Sequence, residues 1–292
     1  MDLCIVVTNV KSGNYSSAVR PAVAERLGDR YTFIDFDLDA DYVTPLSQGM
    51  AQAIAVCGGD GTLNSVLNRV RNLPIRVYYF AFGTLNERSK IHYLASTLDE
   101  EGHPLIGHVG PTLFTYVLAA GSFTSIGYST GIKHKKRFKV LAYLFKAVAE
   151  YKVHNMPLDI SIDGDDISGD FTLMMVLKSP RCFVFKFNRL YNPTDHGGHI
   201  LLIRSPGKDN LINRIRIFFP LFRAFFIGFR KEVDHKTIVF RHFSNLDVTF
   251  AEKIPCAVDG ERKNMRGYYP VSVSPLTPRL AIYPRRKPRK TK

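Results

Sequence analysis

The chain has 292 residues, 45% of them hydrophobic, and Lys plus Arg outnumber Asp plus Glu by 40 to 26. That length and apolar content suit two modest domains with separate cores and exclude a single small module. Cys4, Cys57, Cys182 and Cys256 are scattered without metal-like or redox spacing, which suits a reduced compartment.

In chain order, Leu3-Cys4-Ile5-Val6-Val7 is a short β-rich run that leads into Thr8-Asn9-Val10-Lys11-Ser12-Gly13 and then a helix from about Ser17 to Leu27. It follows Met1-Asp2 directly, without the basic and long apolar segments of a signal peptide, so a cytoplasmic protein is expected. Ile54-Ala55-Val56-Cys57 reads as a second strand, and after Gly58-Gly59-Asp60-Gly61-Thr62 the apolar Leu63, Val66, Leu67 and Val70 recur at helical spacing. A third strand over residues 75–82 is closed by Gly83-Thr84-Leu85-Asn86. Past Gly110 the texture changes to short strand-like runs at residues 113–120, 158–162, 171–177, 183–187 and 200–203, the spacing of a β-sandwich. Asp163-Gly164-Asp165-Asp166 lacks the later Glu of an EF-hand loop and reads as a hairpin turn between Ile162 and Phe171.

Two further segments carry positive charge. A helix over residues 138–151 has Lys133-His134-Lys135-Lys136-Arg137 at its start, against the helix dipole, and the chain finishes in Arg285-Arg286-Lys287-Pro288-Arg289-Lys290. Anionic membrane is the favoured partner, since each basic residue near such a surface contributes on the order of 1 kcal/mol; no nucleic-acid motif accompanies the charge, so nucleic acid is not expected. The most aromatic segment, residues 211–229, holds Arg214, Arg216, Arg223 and Pro220 and is too charged to span a bilayer. It reads either as an interfacial helix with phenylalanines in the acyl chains, or as a helix packed on the β-domain with snorkelling arginines. Both hold if only the arginine edge touches lipid.

The chemistry concentrates at the first three strand ends. Glycines allow a tight turn and a close ligand approach, and a helix start presents N–H groups and partial positive charge, which suits phosphate. Asp60 in such a site would repel bare phosphate, so it makes sense where a divalent cation, Mg²⁺, bridges it to phosphate oxygens. The bland alternative for one such loop is ordinary turn chemistry. In a parallel sheet, however, three consecutive loops of this content would lie along one ligand-binding edge.

These residues resemble a known family. Asn9-Val10-Lys11-Ser12-Gly13 is similar to an Asn-Pro-Lys-Ser-Gly element, residues Gly58 to Asn64 match Gly-Gly-Asp-Gly-Thr-Leu-Asn, and Gly83-Thr84-Leu85-Asn86 looks like Gly-Thr-x-Asn. Val258-Asp259-Gly260-Glu261 matches a late Asp-Gly-Glu. In this order they resemble the diacylglycerol kinase catalytic-domain family, especially its soluble bacterial lipid kinases. The resemblance implies an α/β N-terminal domain with a parallel sheet, of NAD-kinase and phosphofructokinase type, a C-terminal β-sandwich, and ATP with Mg²⁺ in the cleft between them. It implies that Asn9, Lys11 and Ser12 face the nucleotide, that Gly58, Gly59, Gly61 and Thr62 hold its phosphates, and that Thr84 and Asn86 lie nearby. Asp60 would act through Mg²⁺, Asp259 would be the general base, and Glu261 would assist at the metal. The implied domains are residues 1–110, 111–275, and a segment 276–292 that returns toward the first domain with its basic tail.

Departures from the family pattern are local. Val10 stands for a usual proline, Leu85 for a frequent glycine, and Glu87-Arg88-Ser89-Lys90 for Asp-Phe-Ala-Arg. His196-Gly197 stands for Asp-Gly in a region that serves a structural cation in some relatives, so that site is expected to be weakened or lost. Gly127-Tyr128-Ser129-Thr130-Gly131 fits a hydrolase elbow but lacks its strand and apolar helix, and His196-x-x-His199 fits no zinc pattern. The function expected is transfer of the ATP γ-phosphate to the hydroxyl of diacylglycerol or a related lipid by a peripheral membrane enzyme. A soluble NAD- or sugar-type kinase and a non-catalytic nucleotide- or lipid-binding regulator are the rivals, and a homodimer is left open.

Overall fold

Short runs of small and β-branched apolar residues build the sheet of the first unit. Its elements are β1 (Asp2–Thr8), α1 (Val19–Leu27), β2 (Tyr31–Asp37), α2 (Val43–Ser47), β3 (Ala53–Gly58), α3 (Asp60–Val70) and β4 (Arg76–Ala81). The computed structural model describes residues 1–9, 19–83, 86, 88–89, 102–121, 153–182 and 185–283. The chain divides into one unit of Met1–Ile106 with Ser274–Lys292 and a second of Gly107–Val273.

The first unit is an all-parallel five-stranded sheet. The final described strand of the chain, numbered β16 in chain order (Arg279–Tyr283), pairs with β4, and the strand order is β16-β4-β3-β1-β2. Central strands buried on both faces need continuous apolar sequence, and β3 is fully buried along its length. One face packs Cys4, Val6, Ala53, Ala55 and Tyr78 against Val19, Val23 and Leu27 of α1. The alternate residues Ile5, Val7, Ile54 and Val56 are buried on the other face, as are Leu63, Val66, Leu67 and Val70 of α3. Edge strand β2 was not foreseen: its sequence carries Asp35, Asp37 and Thr32, and among its seven residues Tyr31 alone is fully buried.

The second unit holds β5 (Leu105–Val109), β6 (Thr112–Phe114), β7 (Val117–Gly121), β8 (Met156–Ile162), β9 (Asp165–Asp166), β10 (Gly169–Leu177) and β11 (Gly198–Arg204). These are followed by α4 (Leu211–Phe222), a π-helical turn (Arg223–Ile227), β12 (Val233–Asp234), β13 (Ile238–Phe243), β14 (Leu246–Val258) and β15 (Glu261–Pro275). The hydrogen-bonded order is β12-β13-β11-β10-β7-β14-β15-β5-β6, and β7 and β8 share the slot between β10 and β14. Phe114, Leu118, Met174, Ile200, Val239, Phe243, Val248 and Phe250 meet in one core, as the inner faces of a folded sheet do. The opposite face of β10, β11 and β13 is also buried, and there Phe229 stacks on Phe240 at 4.1 Å.

Sequence and structure differ in places. Residues 113–120 split into β6 and β7 because residues 115–117 are drawn into a turn by Asp259. The run at 183–187 is not a strand in its described part: Cys182 and Phe185 form an isolated bridge, while Phe185 and Phe187 pack on Phe225. Strands β13 to β15 were not foreseen, since their solvated faces carry many charges. The hydrolase-like 127–131 segment, the helix expected at 138–151 and both basic clusters lie outside the described residues.

Candidate active site

The first unit presents a topological switch point. From β1 the chain crosses to β2 on one side, and from β3 it crosses to β4 on the other, so right-handed crossovers put α1 and α3 on opposite faces. The crevice between such diverging connections opens at the carboxyl ends of β1 and β3. In register there, Thr8 pairs with Cys57, and Gly58 pairs with Ala81. Asn9, half-buried, directly follows β1.

Two glycine turns meet at this edge, backbone against backbone. The Gly58 carbonyl accepts the N–H groups of Phe82 and Gly83 at 2.9 and 3.0 Å. A Cβ on Gly83 would lie 2.3 Å from the Gly59 Cα and 2.6 Å from Asn86 Oδ1, and one on Gly58 would lie 2.7 Å from the Thr62 Cβ. Gly59, extended, is the N-cap of α3, and no side chain caps the helix. The first turn, with Gly61 and Thr62, therefore offers its N–H groups to an anion.

Asp60 heads that helix, 7% exposed. Its Oδ1 accepts the Tyr79 hydroxyl at 3.3 Å and the Arg88 N–H at 3.1 Å. Burial, and then the Asp60 charge, push the Tyr79 pKa well above its ordinary value, so the phenol stays a donor and fixes the carboxylate. Asn86 adopts a left-handed φ of 48°, and its Nδ2 donates to the carbonyls of Ala81 and Gly83 at 3.0 and 2.7 Å. Its Oδ1 is buried without a hydrogen-bond partner among the described residues. Lys11, Ser12 and Thr84 lie outside the described residues.

Asp37, at the carboxyl end of β2 beside Thr8, was missed in the sequence. Its Oδ1 accepts the Asp39 N–H at 3.1 Å and its Oδ2 is buried without a partner among the described residues. An acid closing a second strand was the available signal.

The features fit a phosphate-bearing nucleotide with Mg²⁺. Among the described residues there is an uncapped helix start, no room for a side chain on Gly58 or Gly83, a fixed carboxylate beside them, and an orphan acceptor in Asn86. Among the described residues no group of three His, Cys, Asp or Glu could hold a metal. Mg²⁺ held through phosphates and one or two carboxylates requires no such cage.

Residues 4–108 match the model of the diacylglycerol kinase catalytic domain. Over that segment, about a third of the chain, it is similar to the family's catalytic domain. This diacylglycerol kinase homologue is 24% identical over 244 residues to a protein named diacylglycerol kinase from Staphylococcus carnosus strain TM300, covering 80% of this chain and 76% of that one. It is 28% identical over 173 residues to one from Staphylococcus saprophyticus, spanning 56% of this chain and about half, 52%, of that relative. The crystal structure of a diacylglycerol kinase from Bacillus anthracis str. Sterne superposes with a TM-score of 0.65 at 14% identity over 96% of each chain, a likeness of fold. The likeness spans both the α/β unit of parallel sheet and the sheet-rich second unit.

In the second unit the homologue's Asp259 and Gly260 join β14 to β15 with φ of 50° and 93°, a two-residue turn that needs left-handed backbone at both positions. Asp259 is 3% exposed. Its Oδ1 accepts the N–H groups of Tyr116 and Val117 at 3.0 and 3.1 Å, its Oδ2 accepts that of Thr115, and its own N–H donates to the Val117 carbonyl. Burial raises its pKa above the usual carboxylate range, against the Thr115, Val117 and Tyr116 N–H groups, which favour the anion. Glu261, first residue of β15, is exposed.

Asp163 and Gly164 form the same turn between β8 and β9, with φ of 51° and 93°. There too the carboxylate accepts N–H groups from a neighbouring turn, those of Ser244 and Asn245, and the Asp163 N–H returns to the Asn245 carbonyl. Asp163 is exposed, so burial alone separates the two. Tying down a turn is thus one role of Asp259, and its burial is what Asp163 lacks.

The 192–199 loop is organised by chain atoms. Buried Lys178 donates its Nζ to the carbonyls of Asp195 and Gly197. Asp195 accepts the Gly197 N–H at 2.9 Å and lies 2.8 Å from His242 Nε2; burial pushes its pKa up, but these partners bring it below the ordinary value. His199 stacks on Phe240 and meets Asn188 at 3.3 Å, and burial, with the His242 charge, lowers its pKa from 6.5 to about 4.

Two outcomes follow. Gly83→Ala, whose methyl would meet the Gly59 backbone at 2.3 Å, is expected to destabilise the first unit by about 1–3 kcal/mol and to weaken ATP binding in calorimetry. His199, held neutral, supports stability fully above its unfolded pKa, and that support is lost as pH falls from about 6.5 toward 4. The urea midpoint should fall across that window, and His199→Gln should flatten the fall.

Proposed function

We propose that the chain is an ATP- and Mg²⁺-dependent lipid kinase that transfers the γ-phosphate to the hydroxyl of diacylglycerol or a related lipid at the cytoplasmic membrane surface. The observation that carries this reading is the pair of interlocked glycine turns beside the uncapped start of α3 and the fixed Asp60 carboxylate, in a segment that matches the diacylglycerol kinase catalytic domain.

In this reading the α3 N-terminus, through Gly58, Gly59, Gly61 and Thr62, holds the phosphates, with Asn9, Lys11, Ser12, Thr84 and Asn86 around the nucleotide. Asp37, whose Oδ2 has no partner among the described residues, would accept a ribose hydroxyl. Asp60 and Glu261 are the carboxylates that would hold Mg²⁺, which when bound neutralises phosphate charge. Asp259 accepts the proton of the lipid hydroxyl. Its burial raises its basicity, as a general base needs.

The test is transfer of labelled γ-phosphate from Mg-ATP into diacylglycerol in detergent micelles. The wild-type chain should yield labelled lipid. Asp259→Asn should lower kcat by about 10²-fold or more with ATP affinity kept, while Asp163→Asn, which alters the sister turn, should leave kcat unchanged. Asp60→Ala should weaken Mg-ATP binding itself. Folded, ATP-binding protein that labels no lipid overturns the reading, and label appearing instead in NAD or a sugar would move the chain to the soluble kinases.

A further inference from the structure

The helix α4 and its π-helical extension have two unlike sides. Inward, Ile217, Leu221, Ala224 and Phe225 are buried. Outward, Leu211 is 72%, Ile212 64%, Ile215 54%, Phe219 66% and Ile227 58% exposed. These outward residues recur at helical spacing, so they form one continuous stripe where a surface helix ordinarily carries polar side chains.

The stripe is rigidly presented. Asn210 caps α4 by accepting the Asn213 N–H at 2.9 Å. Phe218, Phe222 and Phe226 form a ladder with ring spacings of 5.7 and 5.0 Å. Beyond Gly228, whose φ of 73° ends the helix, the Phe229 N–H donates to the Phe187 carbonyl at 2.7 Å. The exposed apolar area therefore does not come from a fraying end.

Charge identifies the occupant. Between Asp209, which pairs with Arg214 at 2.7 Å, and Glu232 the chain carries Arg214, Arg216, Arg223, Arg230 and Lys231 and no acidic residue. Arg216 and Arg223, seven residues and two helical turns apart, are exposed beside the apolar stripe. A second copy of this chain would bring the same cations against each other, whereas an anionic lipid surface neutralises them and takes up the apolar side chains. No described helix is long and apolar enough to cross a membrane, so the geometry is that of an element lying in the interface.

We propose that the outward side of α4 and its π-helical extension is a membrane anchor, with Ile215 and Phe219 entering the acyl region and Arg216 and Arg223 on anionic headgroups. The proposal rests on the lipid-kinase reading for its purpose, to bring the enzyme to a substrate dissolved in the bilayer, and is tested separately from it.

The chain has no tryptophan, so Phe219→Trp introduces a unique fluorophore. Its emission is expected to shift blue, and to be quenched by brominated acyl chains, on adding vesicles of phosphatidylcholine with phosphatidylglycerol, much less with phosphatidylcholine alone. In cosedimentation, Ile215→Ser with Phe219→Ser, and separately Arg216→Gln with Arg223→Gln, should each weaken partitioning to the anionic vesicles by at least about tenfold. Both pairs are exposed, so circular dichroism and the melting temperature should stay at wild-type values. Phosphorylation of diacylglycerol in vesicles should fall in both, and that of a short-chain diacylglycerol in micelles should not.

Unchanged partitioning in the Ile215 and Phe219 double variant overturns the anchor, as does indole emission from the Phe219→Trp variant that ignores vesicles. So does a wild-type dimer in sedimentation velocity that the double variant dissociates while vesicle binding persists. Phe219→Trp protein whose indole inserts but which phosphorylates no lipid, with the wild-type chain equally inactive, overturns the kinase reading and leaves the anchor standing.

Discussion

The site in the first unit depends on two backbones touching where no side chain fits. The turns after β3 and β4 lie so close that a single methyl on Gly83 would fall inside the van der Waals radius of Gly59. Everything else at that edge follows from the contact. It lets one carbonyl, that of Gly58, take two N–H groups, it brings Asn86 over the turn, and it leaves the start of α3 uncapped with Asp60 fixed beside it. An anion site of this kind is made of absences, of Cβ atoms and of a capping side chain, which is why it appears in the sequence as glycine.

The second unit uses a different device twice. An Asp-Gly pair can supply both left-handed residues of a tight hairpin, and its carboxylate is then free to reach sideways for the N–H groups of a neighbouring turn. At Asp163 this happens in water and amounts to a tether. At Asp259 the same bonds form in the interior, where ionisation is costly and the carboxyl becomes more basic. One local fold thus serves as fastening at one place and as fastening with poised chemistry at another.

How much could be read from the sequence varied with the kind of information. The glycine turns, the apolar β1 and β3, the helical spacing of α3 and the Asp163 hairpin were legible because each is dictated within a few residues. The parallel edge that lines up Asn9, Gly58 and Gly83 was legible through the order of those motifs. Edge strand β2 and its Asp37 were not, since one solvated face removes the apolar signal. Nor was the capture of residues 115–117 by Asp259, which joins segments more than a hundred residues apart. The 211–229 segment offered two readings, and the packing on one side is what the structure shows: Ile217, Leu221 and Phe225 are buried while the other side faces out. Loop 192–199 had lost the acids expected of a cation site, and no local pattern pointed to Lys178, whose ammonium bonds two carbonyls there. A cation carried on a side chain cannot be chelated away, so this loop keeps its charge whatever the divalent concentration.

The pairing of β16 with β4 has a consequence for biosynthesis. As the nascent chain leaves the ribosome, β1 to β4 emerge first, but their fifth strand follows only after the whole of the second unit has been made. Until then β4 is an open edge, with unpaired amides beside apolar Val77, Tyr79 and Phe80, a template for mispairing. The second unit, by contrast, is continuous and can fold as soon as it emerges. The part of the molecule translated first is therefore the last to be completed, and its protection during synthesis falls to whatever covers that edge in the meantime.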